Sequence, residues 1–294
     1  MDIQQLMMQV VNGLNIGSIY ALIALGYTMV YGVAKLINFA HGEIIMVGGF
    51  LTFFCINMFK MPWFVGVIIT IVVCVLLGIV IEKIAYKPLR DASRISLLIS
   101  AIGVSFLLQS SFQLLFGVDA KIYNSFISLS PIVIGNITIS SSYYITFIIT
   151  VLLTIILNIY IRKTKIGRAI RAVSEDKQAA LLMGISVDKT ISIVFGIGSG
   201  LAAIAAILYI SSYPIINPYI GVLPGLKAFI AAVFGGIGSI PGAVLGGFFL
   251  GFLETFAKGY ISSQLSDSIV FSILIIMLVF KPNGILGVNR KEKV

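Results

Sequence analysis

Charge is scarce in this chain: Asp, Glu, Lys and Arg make up 11% of its 294 residues, against 59% apolar residues. A soluble core cannot bury so large an apolar share, and the mean hydropathy of +1.09 indicates a polytopic membrane protein. Histidine occurs once, at His41, and no Cys/His group has metal-ligand spacing, so no metal site is expected. Neither a G-x-S-x-G elbow nor a paired-carboxylate arrangement is present, which argues against an enzyme and gives no reason to expect a cofactor. A G-x-x-x-x-G-K-[ST] loop is also missing, so any ATP that drives this protein must bind another subunit. The glycine-rich runs at 196–200 and 235–242 lie within apolar stretches, where they suit helix packing or breaking. Cysteine is limited to Cys55 and Cys74, both inside apolar spans, which excludes a disulfide framework. Long polar segments are absent, and one transmembrane domain, 1–294, is expected.

What charge there is gives a net +9 and sits mostly in short connections between apolar runs. Lipid headgroups and topology account for such charges, and nucleic acid is not an expected partner. The N-terminal MDIQQLMMQ carries no Lys or Arg, so the first apolar run, about 6–33, is expected to remain as a span. Its Gly13, Gly17 and Gly26 fit close helix contact. LINFAHGE (36–43) then places Asn38, His41 and Glu43 at membrane depth, where polar groups are tolerated only against protein or water; a broken helix is predicted.

Further spans are expected at about 63–85, 95–116, 143–161, 190–209 and 268–280. The fourth carries Ser100, Gly103, Ser105, Gln109 and Ser110, a polar face that fits either a path or a helix contact. The alternating stretch at 127–140 predicts two short strands turning near Gly135 and Asn136. Asn136-Ile137-Thr138 matches a glycosylation acceptor, a tripeptide too common to carry weight. In the run 226–256, Gly235, Gly236, Gly238 and Pro241 break the helix pattern, and 36–45 aligns weakly with 236–245. Matched breaks suggest an internal repeat with a path between its halves; chance alignment of glycine-rich apolar segments is the alternative. Arg290, Lys291 and Lys293 place the C-terminus in the cytoplasm, the N-terminus outside, and 226–256 as a re-entrant or hairpin element. The expected fold is an all-α polytopic membrane protein with about eight transmembrane segments and broken or re-entrant helices.

The longest charged connection is 162–188, read as a cytoplasmic handle. Arg168, Arg171, Glu175 and Gln178 share one helical face, while Ile166, Ala169, Ile170, Val173, Ala180 and Leu181 fall largely on another. Ser174 is expected to cap a short helix that Gly184 ends. By pattern alone the segment fits either a docking element or a basic loop that only sets orientation.

LINFAHGE (36–43), AYKPLR (85–90), LISAIG (98–103), IINPYIG (215–221), KAFIAAVFGGIGSIPG (227–242) and PNGILG (282–287) together resemble the LivH-type permeases of branched-chain amino acid ABC importers. The resemblance covers essentially the whole chain. It implies a plasma-membrane importer of leucine, isoleucine or valine, with a second paralogous permease, two cytoplasmic ABC ATPases and an extracytoplasmic binding protein as partners. Within 162–188, Gln178, Ala179, Ala180 and Gly184 are similar to the E-A-A-x-x-x-G signature by which such permeases contact their ATPases, with Gln178 in place of the acid. The resemblance thus assigns ATPase coupling to Arg168, Arg171, Glu175, Gln178, Ala179, Ala180 and Gly184, the arginines as support. Markers of the path are Asn38, His41, Glu43, Ser100, Gly235, Gly236, Gly238 and Pro241. For Ser100 the other reading is helix packing. For His41 and Glu43 it is a local hydrogen-bonded pair, the usual state of buried polar groups. Permeases for urea or short amides share the family pattern, and an ion-coupled carrier, for which Glu43 is the candidate acid, remains the alternative of a different class.

Overall fold

A computed structural model describes residues 3–90, 92–127, 129–135 and 137–287 of the chain. It consists of α1 (Ile3–Ala34), α2 (His41–Thr52), α3 (Trp63–Ile81), α4 (Arg94–Phe116), α5 (Ser141–Lys163), α6 (Lys165–Glu175) and α7 (Lys177–Leu182), followed by α8 (Val187–Ser212), α9 (Val222–Gly235), α10 (Ile240–Tyr260) and α11 (Ser266–Phe280). Short π-helical turns extend α2 over Phe53–Met58 and α3 over Glu82–Tyr86. Among the described residues, seven helical segments are long and apolar enough to cross a membrane, and α9 and α11 are shorter apolar helices. With α11 counted, the expected eight crossings are reached, and α9 is an additional half-length element.

Helices α1 and α8 form the buried centre, while α3, α4 and α5 turn apolar side chains such as Leu76, Leu107 and Leu152 outward, as lipid contact requires. Small residues bring the centre together: Gly247 packs on Ala21 and Gly251 on Gly17, so α1 and α10 approach backbone to backbone. The expected packing roles of Gly13, Gly17 and Gly26 agree with this, since each faces a neighbouring element at contact distance.

One end of the bundle carries α6 and α7. The end of α1, the 236–239 turn between α9 and α10 and the 282–287 segment gather there, lining one cavity with Arg162 and Arg171. The opposite face carries the 117–140 connection, in which β1 (Lys121–Ile122) pairs with β4 (Ile215–Ile216), and the hairpin β2 (Ile132–Ile134) and β3 (Ile137–Ile139). Strands turning near Gly135 were expected, and Gly135 makes the turn at φ +59°. Asn136 of the Asn-Ile-Thr tripeptide and the basic residues Arg290, Lys291 and Lys293 lie outside the described residues. Helices α9 and α10 form the expected hairpin, entered and left on the face opposite α6.

Helix starts fall into two groups. At the α6 face the helices are capped by side chains: Ser93 for α4, Thr164 for α6, Asp176 for α7, Ser186 for α8 and Ser239 for α10 each accept a backbone N–H. Helices α2, α3, α5, α9 and α11 have no side-chain cap. Of these, α2 and α9 begin against each other at Gly42 and Gly225. His41, the first residue of α2, lies against Gly26, eight residues before the end of α1, or about 12 Å up that helix. Connection 35–40 therefore climbs back into the interior before α2 begins: the chain is non-helical at 35–40, while His41, Gly42 and Glu43, expected to interrupt a helix, form the first turn of α2.

Candidate translocation site and docking element

The interior starts of α2 and α9 meet head to head. A Cβ on Gly42 would fall 2.9 Å from the Gly221 carbonyl oxygen, and one on Gly225 would fall 2.8 Å from the Gly42 Cα. Only glycine permits this approach, and it leaves two helix N-termini, each with positive partial charge, facing a common space. From there α2 runs to the face opposite α6 and α9 runs to the α6 face. A cavity of about 250 Å³ opens at the junction, lined by Gly42 and Glu43 from α2, Val222 and Gly225 from α9, Tyr27 from α1, and Ser105 and Gln109 from α4.

Glu43 is the acidic group of the cavity. It is buried, and its Oε1 accepts a hydrogen bond from Ser105 Oγ at 2.9 Å, whereas Oε2 has no partner. His41 is buried beside Tyr27, with ring centroids 4.6 Å apart, and its Nε2 is also without a partner. The local His41–Glu43 pair that would have explained both residues structurally is not formed: residues two apart on a helix lie about 200° apart around its axis, so His41 faces Tyr27 of α1 and Glu43 faces Ser105 of α4.

The other path markers separate from this cavity. Asn38 is buried and its Oδ1 accepts from Tyr86 Oη at 2.7 Å, which ties the climbing connection to the end of α3. Ser100 donates to the Ala85 carbonyl at 2.9 Å, the helix contact rather than a lining position. Gly235 packs on Gly242, Gly236 on Gly287, and Gly238 and Pro241 line a second cavity of about 780 Å³ at the α6 face. The break at 235–242 is thus the turn of a hairpin and not the counterpart of 36–43. That counterpart is the start of α9 at Gly221–Gly225, because α9 and not α10 begins inside the bundle.

A buried ionic cluster holds α9 in place. Lys227, in its second turn, reaches Glu254 of α10 at 2.8 Å and Asp267 of α11 at 2.7 Å. Glu254 also accepts from Lys258 at 2.5 Å and from Tyr20 of α1 at 2.6 Å. The Glu254–Lys258 pair is the one its i, i+4 spacing suggests; Lys227 is the partner that spacing misses, since it comes from another helix. Two lysines and two acids neutralise each other, which allows charge at this depth.

At the α6 face, Asp176 Oδ1 accepts from the N–H groups of Gln178 and Ala179 and starts α7. Ser174, expected in that role, instead donates to the Arg171 carbonyl inside α6. The chain bends between α6 and α7 at Asp176, φ −150° and ψ 115°, so the cap belongs to the residue at the bend. Gly184 ends the element at φ +79°, the left-handed conformation expected of it. Arg168, Glu175, Gln178 and Ala179 are exposed, and Arg171 donates to the Ile161 carbonyl, bracing α6 on α5. Ala180 is buried within the chain itself, so of the two adjacent alanines only Ala179 is open to a partner. The tip is apolar: Leu181, Leu182 and Met183 are 63%, 88% and 81% exposed, and they stand at the positions that the E-A-A-x-x-x-G signature leaves unspecified.

Residues 9–279 match the protein family described as "Branched-chain amino acid transport system / permease component". The chain is 42% identical to the high-affinity branched-chain amino acid transport system permease protein BraD of Pseudomonas aeruginosa, over 100% of this chain and 99% of that one. It is likewise 42% identical to LivH of Escherichia coli K12, a permease protein of the same description, with 97% of each chain covered. A probable LivH from Methanocaldococcus jannaschii is 28% identical over 94% of this chain and 90% of its own length. Among solved structures, PsaBC from Streptococcus pneumoniae in complex with Fab shares the fold, with a TM-score of 0.50 at 12% identity, covering 92% of this chain and 91% of that one.

Proposed function

Because the chain belongs to the permease-component family of branched-chain amino acid transport systems, we propose that it carries leucine, isoleucine or valine inward as one half of the membrane pore of an ATP-driven importer. A second, paralogous permease forms the other half, two ABC ATPases dock on the α6 face, and an extracytoplasmic protein delivers the amino acid. The observation that carries this reading is the apolar tip of α7. Leu181, Leu182 and Met183 project from a capped helix at the end of the bundle that carries most of its basic connections, such as Lys35, Lys87, Arg162 and Arg168. Basic connections mark the cytoplasmic side of a membrane, and an exposed apolar tip there is a site for a soluble partner. Coupling is a free energy carried by an element with two positions. The α6–α7 element, joined directly to α5 and α8 and reaching the end of α1 through Lys177 Nζ and the Ala34 carbonyl, is placed to be that element. The path runs through the cavity where α2 and α9 begin, with Glu43 on its wall, and leaves by the larger cavity beside Gly238 and Pro241.

Co-purification of the ATPases with the permease pair, together with ATP-driven leucine uptake in proteoliposomes, tests this assignment. Leu182→Glu is expected to lower both at least about tenfold, as loss of an interface anchor does, while insertion in the membrane is unchanged. Uptake driven by an ion gradient with this chain alone, indifferent to ATP, would overturn the importer reading in favour of a secondary carrier.

A further inference from the structure

Resting on the importer reading, we propose that α4 is the face of this chain that meets the second permease. A transmembrane helix of that partner lies along α4 and closes the open side of the cavity at the α2 and α9 starts.

Helix α4 differs from the other outward spans in the surface it would show to lipid. Of the seven long spans it is the least enclosed by the chain, and it packs on α2 and on the turn that ends α3. Helices α3 and α5 also look outward, but every exposed residue over 63–81 and 141–161 is apolar, as a lipid boundary requires. On α4 the exposed surface includes Gly103 and Ser110, and Gln109 and Gln113, one turn apart, are half exposed. Gln109 and Ser110 lie seven and six residues before the helix end at Phe116, so about 10 Å inside it and within the hydrocarbon thickness. Ser105 and Ser111 of the same helix are bonded, to Glu43 and to the Leu107 carbonyl. Gln109 and Ser110 make no hydrogen bond among the described residues. A serine can turn back on its own helix, but a glutamine amide carries two donors and an acceptor that need partners elsewhere. Acyl chains leave them unsatisfied, whereas a neighbouring helix bonds them.

The cavity is an independent observation pointing to the same side. Helix α4 lines it with Ile102, Phe106 and Gln109, and α9 lines it with Val222 and Leu226; all but Gln109 of these are exposed. It therefore opens out of the bundle along α4 and α9. A zwitterion passing there beside acyl chains would lose the hydration of both its charges and gain nothing in return, so the path needs a protein wall on this side. The depth of the opening excludes the ATPases and the binding protein as its cover, since both are soluble, and leaves a membrane helix. Ile99, Gly103, Phe106, Ser110 and Gln113 recur at alternating steps of four and three, the spacing of a seam between two helices crossing at a small angle. A Cβ at Gly103 would meet nothing within 4 Å, so packing inside this chain does not account for that glycine.

The test uses both permeases and the ATPases expressed together in membranes. Benzoyl-phenylalanine in place of Phe106, or of Ile99 two turns away, is expected on irradiation to cross-link to the second permease, identified by mass. The same residue in place of Leu76 on α3 or Leu152 on α5 is expected to give no such product. Gly103→Trp has room within this chain, so its level in the membrane is expected to match wild type. Recovery of the second permease with it is expected to fall at least about tenfold, as for a disrupted interface centre, whereas Leu152→Trp on the lipid side is expected to keep full recovery. Cross-links from both α4 positions to lipid alone, or to a second copy of this chain, overturn the assignment, and so does full recovery of the pair with Gly103→Trp. A wild-type chain that recovers no second permease overturns the importer reading instead, so the two failures are told apart in the unaltered protein.

Discussion

Single residues in this bundle carry weight in proportion to their burial, and the two lysines on Glu254 show the contrast. Lys227 is 5% exposed in its side chain and bridges two acids, whereas Lys258 is 43% exposed and holds one. Removing Lys227 leaves Glu254 with Lys258 and the Tyr20 hydroxyl and takes the ion pair from the partly exposed Asp267, so Lys227→Met is expected to cost about 2–3 kcal/mol, the weight of a buried hydrogen bond between charged groups. Lys258→Met removes a pair open to solvent and is expected to cost about 1 kcal/mol or less. Thermal unfolding of the two variants in detergent measures the difference. Equal destabilisation by both lysine variants would show that the cluster is solvated and does not hold α9.

At the scale of elements, the end of α3 is clamped to the start of α8. Arg90 donates both to Glu82, which is fully buried, and to Asp188, which is half exposed and also bonded to Lys87 at 2.7 Å. Ser192 of α8 donates to the second oxygen of Glu82 at 2.6 Å. Because Asp188 follows α7 by six residues, the clamp sits where movement of the docking element enters the bundle. Arg90→Ala strands Glu82 and is expected to destabilise the protein by about 3–5 kcal/mol; Asp188→Asn, at a solvated pair, is expected to stay within about 1 kcal/mol. Unfolding midpoints of the two variants check this order, and reversal would place the weight of the clamp on its exposed side. The same scale sets what could be read in the sequence. The spans were legible because an apolar run of about 20 residues has few other uses, and the break at 36–43 was legible because Asn38, His41 and Glu43 are costly in lipid. The start of α9 was not, since Pro and Gly in the 213–225 segment give the same signal for a surface loop as for a chain dipping into a bundle. What distinguishes them is the contact with Gly42, some 180 residues away in the chain. Asp176 and Ser174 are both good cap residues two positions apart, and only the bend of the backbone decides between them. Ala180 could have faced either way, because alanine is small enough to suit an interface or an interior.

The whole molecule is two-faced, and its orientation can be tested with the chemistry the sequence leaves out. Cys55 and Cys74 are the only thiols and both are buried, so the native chain is expected to react slowly with a membrane-impermeant maleimide from either side. Single cysteines added to the exposed ends then report on topology against a silent background. Leu182→Cys stands at the tip of α7, and Ile122→Cys stands 76% exposed on the opposite face, beside the strand pair with Ile215. With the basic α6 face in the cytoplasm, Ile122→Cys is expected to be labelled in intact cells and Leu182→Cys only in inverted vesicles. Bound ATPases add a second expectation: Leu182→Cys becomes protected when they are present and exposed again when they are stripped, while Ile122→Cys is indifferent to them. The opposite pattern of labelling would invert the whole assignment, since a docking element outside the cell could not meet an ATPase. If the sidedness is as expected but the ATPases give no protection, the bundle keeps its orientation, and α6–α7 is left with setting topology alone.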